Sequence, residues 1–408
     1  MGPEQLVTAH AFGHVLSEDN GARGLGTWTA RWQVGVGGHV YRVGRGSRSR
    51  WSAFDIMTIS LFDHPLLGGL VGDEEVSQHF SLEAEFKAIE QFELVLAQVC
   101  AEFGLVPKAA AGVIGKKLDK FAPDLKRLID ASARDGVIIP DLIAQMREEI
   151  GTPHSKHLHF GATSQDVIDT SLAMRLLPIL KIIEGRLASV ISAIESLSIG
   201  FAGNQVMART RMQDAMGIEA SDRIDVWREL ASDVLSKLPA VRSCVLRVQL
   251  GGAVGTRDQL KDKGAEVAEK MGEILGLYGA GPVWHTNRTG MADLAGWLSL
   301  VTGALGKIGQ DIALMAQNDI GEITFRKAGT SSSMPDKRNP VGAEILVTLA
   351  RFNAVQVSGM HQALVHENER SGSAWTLEWM ILPQMAVAAA GALKRAEILL
   401  ADIENFGG

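Results

Sequence analysis

Apolar residues recur every three or four positions along most of the chain after residue 81. The first run is Leu82, Phe86, Ile89, Phe92, Leu96, Val99 and Phe103, and Gly104 ends it. This spacing predicts a long amphipathic helix with one buried face. The same period predicts helices over 167–199, with a kink at Pro178, and over 219–248, 292–317, 342–365 and 377–403. Helices of this length, without alternating strand blocks or internal repeats, predict an all-α bundle.

Residues 1–56 lack this period and differ in composition. They hold ten glycines and three of the eight tryptophans. Their glycine pairs follow no strand–helix unit, so a dinucleotide or phosphate loop is not indicated. We expect translation to begin at Met57, so that residues 1–56 would be a non-native extension. The alternative is a disordered extension that belongs to the protein.

Composition limits the class of protein. A chain of 408 residues with 46% hydrophobic and 21% charged content is typical of a soluble globular protein. The formal charge of −7, without a basic stripe, argues against a nucleic-acid partner. The apolar stretches 294–315 and 380–393 contain Lys307 or break at Pro383, so no membrane span is expected. The N-terminus shows no secretory signal pattern either.

The two cysteines indicate a reducing compartment. Cys100 and Cys244 each fall in an apolar helical pattern. Two cysteines cannot form a disulfide framework. We therefore expect both to be reduced core residues of a cytoplasmic protein.

The most specific chemistry lies in residues 329–340, which read G-T-S-S-S-M-P-D-K-R-N-P. Gly329 and the hydroxyl residues give a flexible loop, and Pro335 and Pro340 fix its exits. Lys337 and the residues beside it supply cationic and amide donors, so such a loop can bind an anion. Taken alone, a serine-rich string of this kind is more typical of a solvated turn before a capped helix.

Three segments together resemble the signature motifs of the fumarase/aspartase superfamily. Residues 159–166 (H-F-G-A-T-S-Q-D) resemble its H-x-G-x-T-S-x-D, residues 208–213 (A-R-T-R-M-Q) its G-x-T-x-x-Q, and residues 329–340 its G-S-S-x-M-P-x-K-x-N-P. Residues 249–253, 284–288 and 367–371, with Trp375, Glu378 and Trp379, are most similar to the 3-carboxy-cis,cis-muconate cycloisomerase subfamily. Adenylosuccinate lyases share much of this framework.

The resemblance implies an architecture. It implies an N-terminal helical domain over 57–162 and a central long-helix bundle over 163–408 that assembles into a homotetramer. Each active site would be lined by three subunits, with no cofactor. Family members often carry a third, small helical domain, which would lie beyond Gly408 and is therefore expected to be absent from this chain.

The resemblance also assigns catalytic roles. The family reaction removes a proton next to a carboxylate and expels a group from the neighbouring carbon. Ser331 stands at the position of the catalytic serine, and Ser332 is the alternative if the loop register shifts by one. Lys337 and Asn339 would stabilise the charge that develops, and a serine needs such donors to lose its proton. A purely structural capping role for Ser331 remains the alternative.

A substrate with three carboxylates needs further cations and neutral donors. Arg288 and Arg338 are the preferred carboxylate clamps because guanidinium groups bind carboxylates in bidentate fashion. Arg209 and Arg370 could each bind a substrate carboxylate or form an ion pair within the protein. The predicted substrate-binding residues are His159, Thr163, Ser164, Thr210, Arg211, Gln213, Arg288, Ser332, Met334 and Arg338.

A metal site is a weaker interpretation of the histidines. His154, His157 and His159 have a spacing that could suggest metal ligands. No fourth convergent ligand accompanies them, and the family reaction uses no metal. We predict a site without metal, in which His159 contacts the substrate or orders its loop.

The main departure from the family pattern is Asp214. It follows Gln213, where many family lyases carry a histidine that acts as general acid. A deprotonated aspartate cannot protonate an amine leaving group, whereas a lactone expels a carboxylate that is already a stable anion. Asp336 stands at a position of the serine-rich loop where the family often has histidine, and it also favours lactonisation over C–N cleavage.

The predicted activity is therefore a cycloisomerase that converts 3-carboxy-cis,cis-muconate to 4-carboxymuconolactone in protocatechuate (β-ketoadipate) catabolism. Its partners would be a small tricarboxylate substrate and its own copies, with no nucleic acid or membrane. One alternative is an adenylosuccinate-lyase-like C–N lyase in which His159 or His285 donates the proton. The other is a catalytically silent structural homologue.

Overall fold

The computed structural model describes residues 59–408, except 280, 328, 335 and 336, and the two segments 31–34 and 40–43. The expected start at Met57 lies outside the described residues. Residues 59–408 form one compact unit. The domain boundary at residue 162 stays a prediction.

The first six helices precede the long bundle helices. They are α1 (Gly68–Val71), α2 (Glu74–Ser77), α3 (Leu82–Glu102), α4 (Lys108–Leu118), α5 (Leu125–Asp135) and α6 (Ile139–Ile150). The α3 helix begins where Ser81 Oγ accepts a hydrogen bond from Ala84 N at 3.2 Å, which satisfies an unpaired amide of the first turn. Its apolar face, with Phe92 and Leu96, is buried. The helix predicted from the first apolar run is confirmed.

Seven further helices include the longest ones. They are α7 (Ser164–Gly200), α8 (Ala220–Ser236), α9 (Leu238–Val245), α10 (Gly264–Leu275), α11 (Thr289–Met315), α12 (Val341–Gln362) and α13 (Gly372–Asp402). The predicted single helix over 219–248 is wrong, since it divides into α8 and α9 at Lys237. Pro239 in the first turn of α9 explains the break: it has no N–H to donate and its ring would clash with a preceding carbonyl.

Short strands interrupt the helical pattern. Their antiparallel pairs are β1 (Arg31–Val34) with β2 (Val40–Val43), β3 (Gln205–Thr210) with β4 (Gln213–Glu219), and β5 (Ile323–Phe325) with β6 (Ile403–Phe406). The sequence indicated no strands, because segments this short carry too few positions for an alternating pattern. The mainly helical, fumarase/aspartase-like class is nevertheless confirmed.

Close packing of α11 on α12 holds the bundle together. A Cβ added at Gly306 would lie 2.4 Å from the Ala350 Cβ, and one at Gly309 would lie 2.7 Å from the Ala343 carbonyl oxygen. Only glycine permits this approach of the two backbones. Most side chains along the core face of α11 are fully buried, including Leu294, Val301 and Ile308.

The α13 helix bears on two expectations about this part of the chain. It continues through Pro383, so the helix predicted over 377–403 is confirmed. Among the described residues it is also the single helix long and apolar enough to cross a membrane by length and composition. In this structure 67% of its most apolar window is buried inside the protein. That burial is typical of a core helix.

The two cysteines differ in burial. Cys100 on α3 is buried, and burial raises the pKa of its thiol to about 12, with a further contribution from Glu93. Cys244 on α9 is exposed, so its predicted place in the core is wrong. The short α9 helix has room to bury only one face, and Val241 and Val245 occupy it.

Candidate active site

The serine-rich loop is closed at its base by backbone pairing. Gly329 N donates to Asn339 O at 3.0 Å, and Asn339 N donates to Gly329 O at 2.9 Å. Lys337 N donates to Met334 O at 3.1 Å, which adds a turn inside the loop. The Lys337 side chain is exposed. The loop is thus a compact projection whose ends are fixed just before α12.

Ser331 is held by two backbone donors. Its Oγ accepts hydrogen bonds from Ser333 N at 3.3 Å and from Met334 N at 3.2 Å. Donors aimed at a hydroxyl oxygen favour the ionised form. The same bonds also cap the local turn, so the geometry fits both the catalytic and the capping interpretation of this serine. Ser332 and Met334 are exposed beside it.

Asp166 organises the first motif, a role that the motif match did not assign. Its Oδ1 accepts hydrogen bonds from Gly251 N at 2.8 Å and lies 2.7 Å from His285 Nε2. Its Oδ2 accepts from Gly252 N at 2.8 Å and from Thr163 N at 3.0 Å. This buried carboxylate therefore joins the start of α7, where the predicted ligands Thr163 and Ser164 lie, to two distant loops. Its match to the final aspartate of the H-x-G-x-T-S-x-D motif was the available signal.

His159 pairs with a carboxylate that the sequence did not suggest. Its Nδ1 lies 2.6 Å from Glu93 Oε1 on α3, and the Glu93 side chain is fully buried. Burial lowers the pKa of the imidazole, but the charge and hydrogen bond of Glu93 outweigh it, so the pKa is raised above its usual value. Nothing in a helical apolar pattern distinguishes Glu93 from a surface glutamate. No cluster of three or more possible metal ligands occurs among the described side chains.

Arg288 is not placed as the predicted carboxylate clamp. Its guanidinium donates to Asp169 at 2.7 and 3.1 Å and to Glu378 at 2.8 and 2.5 Å, and it stacks 4.9 Å from the centroid of the Trp284 ring. Only 2% of the residue is exposed. The prediction is corrected for a physical reason: both edges of the guanidinium are occupied by the protein's own carboxylates, which link α7 and α13 to the start of α11.

The other candidate arginines divide between structural and exposed positions. Arg209 pairs with Asp214 at 2.9 Å and with Glu322 at 3.0 Å, which is the ion-pair alternative. Arg370 donates to Gln165 Oε1 at 3.0 Å and to a backbone carbonyl, so it fastens loops together. Arg338 is exposed and donates to Phe325 O at 3.1 Å.

The β3–β4 hairpin carries the second motif at its tip. Thr210 pairs with Gln213, which leaves Arg211 and Met212 as a two-residue turn. Both have left-handed backbones, with φ of 51° and 67°. Turns of this kind normally use asparagine and glycine, so both side chains are held against a steric preference. Backbone strain of this sort is common at functional sites. Thr210, Arg211 and Gln213 are exposed at this turn.

We expect Met212→Gly to raise the free energy of unfolding by about 1 kcal/mol. A left-handed residue with a Cβ costs about 1–2 kcal/mol, of which glycine returns part through its own unfolded-state entropy. The check is the thermal midpoint by differential scanning fluorimetry. Met216→Gly is the matched control, because Met216 on β4 is also largely exposed (67%, against 74% for Met212) and has no positive φ. A higher midpoint for the control than for Met212→Gly would contradict the strain.

Within one chain the first motif is far from the other two. Residues 159–166 lie at the start of α7, and the hairpin follows its end, 37 residues later. At about 1.5 Å per residue this separation is roughly 55 Å. The hairpin and the serine-rich loop both contact residues 322–326. Arg209 of the hairpin donates a hydrogen bond to Glu322, and Arg338 of the loop donates one to the Phe325 carbonyl. No hydrogen bond or ion pair between residues that the structure describes joins these two segments to the first motif.

Comparison with known proteins gives the class. The sequence model of a lyase family matches residues 73–359. The chain belongs to this lyase family, within the fumarase/aspartase superfamily, and is an isomerase/lyase-type enzyme.

The chain is also similar to individual members of this superfamily. The 3-carboxy-cis,cis-muconate cycloisomerase of Acinetobacter baylyi is 32% identical over 83% of this chain and 77% of its own length. The crystal structure of the 3-carboxy-cis,cis-muconate lactonizing enzyme from Pseudomonas putida has a TM-score of 0.78 at 31% identity, covering 83% of this chain and 77% of that one. An N-acetyl-S-(2-succino)cysteine lyase of Dickeya dadantii is 26% identical over 83% of this chain and 75% of its own length.

Proposed function

We propose that the protein is a cofactor-independent cycloisomerase that converts 3-carboxy-cis,cis-muconate to 4-carboxymuconolactone in the cytoplasm, as a step of protocatechuate catabolism. The observation that carries this proposal is the 32% identity with the Acinetobacter cycloisomerase over four fifths of the chain. Other superfamily members act on different carboxylates, so the substrate needs a direct test.

The serine-rich loop supports the proton-transfer step. One substrate carboxylate adds to the conjugated double bond, so a C–O bond forms and the π electrons move toward a second carboxylate. Ser331 gives its proton to the carbon, and the serine regains a proton from water. The amides of Ser333 and Met334, 3.3 and 3.2 Å from Oγ, stabilise the transient alkoxide. The positive charge of Lys337 and hydrogen bonds from the Asn339 amide stabilise the negative charge that develops on the substrate.

The position of Asp214 supports lactonisation over C–N cleavage. Its carboxylate lies 2.9 Å from the Arg209 guanidinium on the hairpin, and an aspartate side chain is ordinarily an anion near neutral pH. An anion cannot donate a proton to an amine. In the lactonising reaction the oxygen that forms or leaves is a carboxylate, which needs no proton near neutral pH.

The site is completed between subunits in this proposal. The hairpin and the first motif are separated by a 37-residue helix within one chain. A substrate a few ångströms long cannot contact both in one subunit. We propose that the homotetramer implied by the family resemblance brings His159, Gln213 and Ser331 together from different copies of the chain.

The test is the loss of diene ultraviolet absorbance when the protein is mixed with 3-carboxy-cis,cis-muconate. We expect turnover of this compound and none of adenylosuccinate or argininosuccinate, assayed in parallel. Cleavage of adenylosuccinate without muconate turnover would overturn the proposal in favour of the C–N lyase, for which a protonated His159 could serve as the acid. No turnover of any of these would favour a catalytically silent homologue.

A further inference from the structure

We propose that Glu93 is a positioning residue that keeps His159 as an imidazolium and directs its Nε2–H toward a carboxylate of the substrate. Identifying that anion as a tricarboxylate rests on the proposed function. The pairing of Glu93 with His159 stands on the structure of the chain itself.

The first argument is the isolation of Glu93. Its side chain is fully buried on α3, and Oε1 lies 2.6 Å from His159 Nδ1. Its other oxygen, Oε2, has no hydrogen-bond partner among the described residues. A buried carboxylate without a compensating charge is strongly unfavourable. Among the residues that the structure describes, His159 is the one basic group paired with Glu93, so the pair is most stable when the imidazole is charged.

The second argument is the electrostatic surroundings of His159. Burial opposes its protonation, and so does the guanidinium of Arg147 on α6. Glu93 on α3 and Asp166 on α7 favour protonation. The two carboxylates outweigh the opposing effects, so the pKa of His159 is raised and the imidazolium persists toward neutral pH.

The third argument is the atom that remains free. With Nδ1 donating to Glu93, Nε2 of His159 bonds to no described residue and is not one of the buried atoms that lack a partner. The side chain is 14% exposed, and the backbone is fixed in the left-handed region at φ 62°. Nε2 therefore reaches solvent, on the motif that also carries Thr163 and Ser164.

The chemistry of the site requires such a cation. Arg288 and Arg209, two of the candidate arginines, are paired with the protein's own carboxylates. Of the predicted cationic ligands, Lys337, Arg338 and Arg211 remain exposed on the loop and the hairpin. An imidazolium at the first motif supplies a positive charge where no arginine or lysine is available within that motif. A charge-assisted hydrogen bond to a carboxylate is about twice as strong as a neutral one.

The decisive variant is Glu93→Gln, which keeps an acceptor for Nδ1–H and removes the charge. We expect the alkaline limb of the pH profile of kcat/KM to move down by about 1–3 pH units, since a neighbouring charge shifts a pKa by that amount. The sign follows from the raised pKa: activity that needs the imidazolium is lost as the pH rises through it, and without Glu93 this happens at lower pH. Glu90→Gln, on the same helix and partly buried, is the matched control and should leave the profile unchanged.

An activity-independent measurement separates this inference from the proposed function. Diethylpyrocarbonate modifies only the neutral imidazole, so the pH dependence of His159 carbethoxylation, followed by peptide mass spectrometry, reports its pKa. We expect modification of His159 at lower pH in Glu93→Gln than in the wild type. Glu93→Asp retains the negative charge, so its pH dependence should stay near that of the wild type. This second variant is the one to compare if Glu93→Gln folds poorly. Equal pH dependence of His159 in the wild type and Glu93→Gln would overturn the inference, whether or not the muconate is turned over.

Discussion

Replacing Ser331 with alanine is expected to lower kcat by about 10²- to 10⁴-fold, the range typical of a lost general acid or base. The reason is the geometry of the loop: Ser331 Oγ is the oxygen on which two backbone amides converge, and Gly329 and Asn339 hold the loop ends together. Alanine removes the transferable proton and leaves this frame intact. The measurement is steady-state turnover of the muconate with the purified variant.

The controls for this variant are its neighbours and its stability. Ser333→Ala removes a nearby hydroxyl that we assign no role, and activity should stay near wild type. The thermal midpoint of Ser331→Ala should also be unchanged, because the amides it leaves are on an exposed loop and can bond to water. Near-wild-type turnover by Ser331→Ala would show that its hydroxyl only caps the turn, and Ser332→Ala would then test the shifted register.

Replacing Arg288 with methionine is expected to destabilise the protein by about 3–5 kcal/mol, the range measured when one partner of a buried ion pair is removed. The variant leaves Asp169 and Glu378 buried without the guanidinium that pairs with both. Burial already raises the pKa of Glu378, against the opposing effect of Arg288. The thermal midpoint should therefore fall by many degrees, which scanning calorimetry would measure.

A matched control distinguishes this structural role from substrate binding. Arg228→Met breaks an ion pair with Asp225 that is 40–46% exposed, and such pairs contribute at most about 1 kcal/mol. A carboxylate clamp would behave in the opposite way: Arg288→Met would raise KM and leave the midpoint unchanged. That result would restore Arg288 to the substrate-binding set.

Much of the helical fold could be predicted because the signal is local. The apolar period of α3 and α11 lies within each segment and needs no knowledge of its partner, so both helices appear close to their predicted bounds. The errors fall where the signal is weak or misleading. Pro239 divides one predicted helix into two, whereas α13 continues through Pro383 as its predicted bounds require, because neighbouring packing decides whether a proline is tolerated.

The roles of polar residues were harder to predict than the positions of motifs. Lys337 and Ser331 belong to an ordered string of unusual residues, so sequence alone marks them. Arg288 looks like a clamp in the sequence, yet Asp169 and Glu378, 119 and 90 positions away, occupy its guanidinium. Glu93 has no distinguishing neighbour, and only the fold brings it 2.6 Å from His159.

The sequence by itself determined the superfamily, the long-helix class and the residues of the serine-rich loop, because helical periodicity and contiguous motifs are properties of local segments. The tertiary structure decided which charges are already paired within the protein, that the motifs lie at opposite ends of a 37-residue helix, and that His159 has a buried anionic partner. These facts depend on contacts between residues distant in sequence, and charge pairing over such distances leaves no periodic trace along the chain.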